Sequence, residues 1–225
     1  MIQRVYERAC ESSAEAAFVA TDDKRIAEAV QGFGGQAIMT SADHETGTDR
    51  IYEAALSIGL ADDEVVVNVQ GDEPLMPAAA IDQVAGLLSE GARMATLMEA
   101  LKNSKEIFDP NVVKVVADNV GRALYFSRAP IPWSRGDFDH GSADIADLRG
   151  WYRHLGIYSY EMRLLKEFVA WPMATLEQAE ALEQLRVLAN GESIQVAQPP
   201  GEIPPGIDTP EDVARVLEAL SGEDL

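Results

Sequence analysis

Residues 64–88, EVVVNVQGDEPLMPAAAIDQVAGLL, decide how the fold is read. The run opens as a strand that is apolar on both faces and breaks at Gln70-Gly71-Asp72-Glu73. It resumes as a helix over 77–88, with Pro77 near the first turn, where its missing N–H does no harm. A strand with no polar face is buried on both sides, and a helix directly after it is the repeating unit of a parallel sheet covered by helices.

The same alternation extends outward. Upstream, residues 16–21 and 36–40 read as strands, and 1–11, 23–34 and 48–59 as helices. Downstream, strands are expected at 93–101, 112–118, 122–128, 154–160 and 193–197, and helices at 163–171, 176–190 and from Pro210 to about Leu220. Residues 134–150 read as a mobile loop, and no internal repeat is visible. The pattern predicts one α/β domain over residues 1–225 with a mainly parallel, mixed sheet flanked by helices, and a lobe at about 120–165. A parallel unit presumes a strand before its first helix, whereas Met1, Ile2, Val5 and Ala9 already stand at helical spacing. Either that helix is an extra element, or a strand and loop are expected ahead of Met1.

At 225 residues the chain can bury a sizeable core, and 47% hydrophobic with 25% charged residues is ordinary globular composition. The charge balance is not ordinary: 38 acidic against 18 basic residues leave −20. Nucleic acids and anionic membranes need a basic face, so neither is expected as a partner. The acidic residues form no block long enough for a tail and read as a strongly hydrated surface. The start, MIQRVYERACES, is too charged for a signal peptide, no apolar run reaches membrane-spanning length, and Cys10 stands alone. A soluble protein in a reducing, cytoplasmic setting is expected.

In an open parallel sheet, ligands bind outside the carboxyl ends of the strands, where Gln70, Gly71, Asp72 and Glu73 would lie. A carboxylate there can hold Mg²⁺, which takes one or two carboxylates and shares its other positions with water and phosphate; an acidic turn that simply ends the strand is the alternative. In GIDTPED (206–212), Thr209, Pro210 and Asp212 read as a helix cap, which leaves Asp208 free to face a ligand or solvent. The loop SADHETGTDR (41–50) offers Thr46, Gly47, Thr48 and a helix start that favours anions or polar ring edges, or is merely capped. Arg128, Arg153 and His154 stand at strand ends as cations that could receive a carboxylate, or as surface charges. Glu183 and Gln184, being adjacent, point to different sides of a helix.

Taken together, FVATDD, ADHETGTDR, VVVNVQGDEPLMP, FDPNVVKVV, ALYFSRAPIPW, RHLGIYSY, LEQLRVL and GIDTPEDVARV closely resemble the 3-deoxy-manno-octulosonate cytidylyltransferases, in that family's order and over nearly the whole chain. The resemblance implies a nucleotide-diphospho-sugar transferase (Rossmann-like) fold that uses CTP and Mg²⁺ to activate 3-deoxy-D-manno-octulosonate (Kdo), an acidic eight-carbon sugar, for lipopolysaccharide. By the same resemblance Asp72 and Asp208 look like the Mg²⁺ carboxylates. His44, Thr46, Gly47, Arg50 and Gln70 look like the CTP side, and Arg128, His154, Tyr158, Glu183 and Gln184 like the Kdo side. A homodimer is implied, with its contact near ALYFSRAPIPW.

The sequence departs from the family in two places. Thr46 replaces the usual serine and keeps its hydroxyl. The family also begins with a strand and a triphosphate loop, P-A-R-x-x-S-x-R-L-x-G-K, so both are expected upstream of Met1. Without them, CTP binding is expected to be weak and turnover small. The alternatives are the same reaction on 8-amino-Kdo or another acidic sugar, and a non-catalytic nucleotide- or sugar-binding module.

Overall fold

The computed structural model describes residues 1–44, 46–88, 92–136, 138, 145, 147–207 and 209–222. After helix α1 (Ile2–Cys10), strands β1 (Val19–Thr21) and β2 (Ala37–Met39) pair in parallel around the connecting helix α2 (Lys24–Gly32). Asp23 caps α2 by accepting from the Arg25 N–H. Helix α3 (Gly47–Ser57), β3 (Val65–Asn68) and α4 (Ala78–Gly86) follow, the quoted stretch folding as strand, acidic turn and helix. The rest comprises β4 (Met94–Ala100), the short α5 (Lys105–Phe108), β5 (Lys114–Ala117), β6 (Ala123–Ser127) and β7 (Tyr152–Glu161), then α6 (Met162–Ala170), α7 (Thr175–Glu180), α8 (Gln184–Ala189), β8 (Ile194–Ala197) and α9 (Pro210–Gly222).

β7 organises the larger, six-stranded sheet. One edge pairs with β4; the other carries β3 on its second half, Val65↔Glu161 to Asn68↔Tyr158, and β5 on its first, Lys114↔Arg153 and Val115↔Tyr152. The expected mainly parallel sheet holds for direction, since β3, β4, β5 and β8 share one and only β6 and β7 oppose them. It does not hold for pairing. With β7 inserted between β3 and β4, most ladders are antiparallel, and only β1–β2 and β4–β8 are parallel. Among the described residues β1 pairs only with β2, and no ladder joins that pair to the larger sheet.

The two faces of β7 feed two cores. Tyr158 and Tyr160 join the layer built on Met94, Phe126, Leu164, Phe168 and Leu185, while Leu155 and Ile157 join Ile81, Val84 and Leu97 under α4. This is the period-two alternation of a strand covered on both sides. Helix α1 spans the two sheets: Tyr6 packs on Phe33 at the end of α2, and Ser13, just beyond α1, donates through N and Oγ to Asp82 of α4 at 2.7 and 2.8 Å.

Two expectations are corrected. The helix expected over 176–190 is two helices, broken at Ala181 with φ 52°, so Glu183 and Gln184 stand at the start of α8 rather than inside one helix. The expected mobile loop 134–150 lies partly outside the described residues, but Phe138 and Ile145 are buried with Leu101, Ile107 and Trp151. Burying Phe138 and Ile145 in this cluster offsets much of the entropy cost of ordering those two residues.

Candidate active site

Thr46 caps α3 by accepting from the Asp49 N–H at 3.1 Å, leaving Gly47 and Thr48 as the first helical residues. A β-carbon at Gly47 would meet nothing within 4 Å, so the surface there is open to a ligand. Arg50 donates to Thr40 Oγ1 at 2.6 Å and pairs with Asp22 at 3.2 Å, locking the ends of β1 and β2 to α3. His44 contacts the Glu53 carboxylate, which is held below the usual carboxylate range first by the Ser41 N–H and then by His44.

Gln70 crosses the gap between β3 and β5. Its Nε2 donates to the Gly156 carbonyl at 3.0 Å. Gly156 lies in a bulge, where the β4–β7 register jumps from Thr96↔Tyr158 to Leu97↔Leu155. Such bulges re-aim side chains at functional sites. The fully buried Thr96 fills the bulge: its hydroxyl lies 2.9 and 2.7 Å from the Leu155 and Ile157 carbonyls and 3.1 Å from His154 Nε2. The carbonyls take the single hydroxyl proton, so Nε2 must donate and Nδ1 is left as an acceptor. Burial alone lowers the His154 pKa to about 3. His154 is therefore neutral, which corrects the expectation of a cation there. Arg153 remains a cation, but its charge is taken up by the ion pair with Glu99 at 2.5 Å.

His154, Tyr158 and Tyr160 form a ring stack on one face of β7, with centroids 5.2 and 5.9 Å apart and Phe126 edge-on to His154 at 5.1 Å. Glu183 stands against it, with Thr48 Oγ1 of α3 donating to Glu183 Oε2 at 2.8 Å. That bond joins the helix start of the expected CTP side to the acid of the expected Kdo side. Next to it, the buried Gln184 Nε2 has no hydrogen-bond partner among the described residues. A buried donor left unpaired costs about 1–3 kcal/mol, which a ligand acceptor would recover.

Arg128 explains the helix break. Its guanidinium donates to the carbonyls of Glu180 at 2.8 Å, Pro110 at 2.9 Å and Ala181 at 3.4 Å, capping α7 where the chain turns left-handed. Its own carbonyl accepts from Lys114, a fully buried ammonium that also donates to the Asp109 and Val112 carbonyls. Burial lowers the Lys114 pKa. Arg128 has no carboxylate on its guanidinium among the described residues, so its charge remains available to an anion.

The cytidylyltransferase family model matches residues 1–194. The chain is 54% identical to a 3-deoxy-manno-octulosonate cytidylyltransferase of Cellvibrio japonicus, over 98% of this chain and 88% of that one. It belongs to that family. The enzyme of the same name from Saccharophagus degradans is 51% identical, again over 98% and 88%. A solved structure of CMP:2-keto-3-deoxy-manno-octonic acid synthetase complexed with CTP matches with a TM-score of 0.86 at 38% identity, covering all of this chain and 88% of its own. The 4-diphosphocytidyl-2C-methyl-D-erythritol synthase, at 11% identity and a TM-score of 0.58, shares the fold.

Within this cytidylyltransferase, Asp72 follows β3 half-buried, and among the described residues no group donates to its carboxylate. Its carbonyl accepts from the Ile207 N–H at 2.9 Å, and Gly206 is packed so closely that a β-carbon would lie 3.0 Å from that oxygen. The GIDTPED segment thus reaches Asp72, while Asp208 itself lies outside the described residues. Beyond it, Asp212 accepts from the Thr209 N–H at 2.8 Å and completes the expected cap of α9. No cluster of three or more metal-ligating side chains is present among the described residues. A free hard-oxygen donor at the strand edge fits Mg²⁺, which needs only one or two carboxylates. Sequence reasoning named Thr48 only as part of a helix start and passed over Thr96, Gly156 and Tyr160; the glycine inside RHLGIYSY was the one visible signal, since glycine within a strand marks a bulge or close approach.

Proposed function

We propose that the chain transfers the cytidylyl group of CTP to the anomeric hydroxyl of Kdo, releasing pyrophosphate and giving CMP-Kdo for lipopolysaccharide. One observation carries this reading: Gln70, bonded to the bulge between His154 and Tyr158, puts the β3 edge and the β7 wall in one crevice. The relatives' names supply the substrates. The hydroxyl attacks the α-phosphorus in line, so the protein's work is positioning and charge neutralisation rather than covalent catalysis. Bound Mg²⁺, held by Asp72 and by Asp208, would neutralise phosphate charge.

On the nucleotide side His44, Thr46, Gly47, Arg50 and Gln70 receive CTP. On the sugar side neutral His154 accepts a hydroxyl through Nδ1, Glu183 accepts another, Gln184 Nε2 donates, Tyr158 supplies the wall, and Arg128 offsets the sugar carboxylate. A homodimer is part of the proposal. Val120, Leu124 and Trp133 are exposed beside or on the edge strand β6, and a second copy would cover them. No helix among the described residues is long and apolar enough to cross a membrane; we assign the cytoplasm. Phosphorus NMR of a reaction with CTP, Mg²⁺ and Kdo tests the reaction. The expected result is a new phosphodiester resonance with free pyrophosphate; unchanged CTP would refute it.

A further inference from the structure

We propose that Thr48 is a positioning residue that couples the two substrates by fixing the Glu183 carboxylate. The inference rests on the functional reading above. Thr48 is the second residue of α3 and 4% exposed, and its hydroxyl donates to Glu183 Oε2 at 2.8 Å. A threonine hydroxyl has one proton, and here it goes to the carboxylate. The result is a directed link from the α3 start to the start of α8.

The link leaves Glu183 half-finished in a useful way. Oε2 is taken, while no described group donates to Oε1, and the adjacent Gln184 Nε2 is a buried donor without a described partner. An acceptor beside a donor suits the hydroxyls of a polyhydroxylated acid. Ordering of the first turn of α3 around a nucleotide passes directly to Oε2, and so sets where Oε1 stands. Losing one oxygen's anchor frees the carboxylate to rotate, which weakens sugar binding more than nucleotide binding.

The test compares Thr48→Val, Thr48→Ala and Thr48→Ser with the wild type by pyrophosphate release and thermal melting. For Thr48→Val the KM for Kdo is expected to rise about tenfold, the scale of a hydrogen bond to a charged group, with the KM for CTP within about twofold. Thr48→Ser keeps the hydroxyl and the wild-type value, and Thr48→Ala, which removes it, raises the KM for Kdo as Thr48→Val does. An unchanged KM for Kdo in folded Thr48→Val, or equal losses toward both substrates, overturns the inference. If Thr48→Val fails to fold, an unchanged KM for Kdo in folded Thr48→Ala overturns it. Wild-type protein with no Kdo-dependent release overturns the functional reading and this inference with it.

Discussion

Replacing Gly156 with alanine places a methyl group where the structure leaves room only for an amide. The added carbon would sit 2.6 Å from Gln70 Nε2, against 3.4 Å or more for an ordinary contact. Gln70 must retreat by about 1 Å, which breaks its 3.0 Å bond to the Gly156 carbonyl. The obstructing atom is the end of a flexible side chain, so the fold gives way cheaply. The lost hydrogen bond costs about 0.5–1.5 kcal/mol, and the smaller unfolded-state entropy of alanine returns about 0.4–1 kcal/mol. Urea denaturation should therefore detect a change within about 1 kcal/mol. The functional effect is larger in proportion, because the displaced amide is the proposed CTP contact. We expect the KM for CTP to rise about five- to tenfold, the equivalent of about 1–1.4 kcal/mol. The double-mutant cycle with Gln70→Ala decides the cause: Gly156→Ala should then add almost nothing. Full additivity of the two KM effects, or a stability loss above about 3 kcal/mol in Gly156→Ala, would refute the reasoning.

Asp72→Asn should abolish Mg²⁺-dependent turnover while leaving the melting temperature near wild type, since no described group bonds that carboxylate; unchanged kinetics would remove Asp72 from the site. His154 has its pKa lowered from 6.5 to about 3, so the unfolded chain binds the extra proton first and stability falls as pH drops below 6.5. Between pH 6.5 and 4.5 the loss is about 2 kcal/mol at about 1.4 kcal/mol per unit, and denaturation of His154→Gln over that window should show a correspondingly shallower slope. The ion pair between Arg186 and Glu177, at 2.6 Å and with both side chains buried, carries Phe168 against the guanidinium at 4.3 Å. Glu177→Gln leaves that cation uncompensated and should cost about 3–5 kcal/mol in urea denaturation.

Local pattern carried the element order, because apolar spacing and caps are properties of neighbouring residues. VVVN read as a strand buried on both faces; it is a strand, but Val65 is exposed and Val66, Val67 and Asn68 are only half-buried, because among the described residues β3 pairs on one edge alone, with β7. Thr209 with Asp212 read as a cap, and Asp212 accepts from the Thr209 N–H. Residues brought together from far apart were not legible. Nothing in LEQAEALEQLRVL signals a stop, yet α7 ends at Ala181 because Arg128, over 50 positions away, satisfies its last carbonyls. The charge of His154 is set by Phe126, Tyr158 and the β4 strand beside it, so a sequence could only suggest a cation. The central place of β7 was hidden for the same reason, since its neighbours β3, β4 and β5 all precede it by dozens of residues.

The central claim is that the β3 edge and the β7 wall form one site for CTP and an acidic sugar. Steady-state pyrophosphate release by the protein expressed from its own gene tests it most directly, with CTP and Mg²⁺ and either Kdo, 8-amino-Kdo or a sialic acid. The account predicts release that requires both nucleotide and sugar and is fastest with Kdo. Release that ignores the sugar, or none with any acidic sugar from a folded protein, would contradict it.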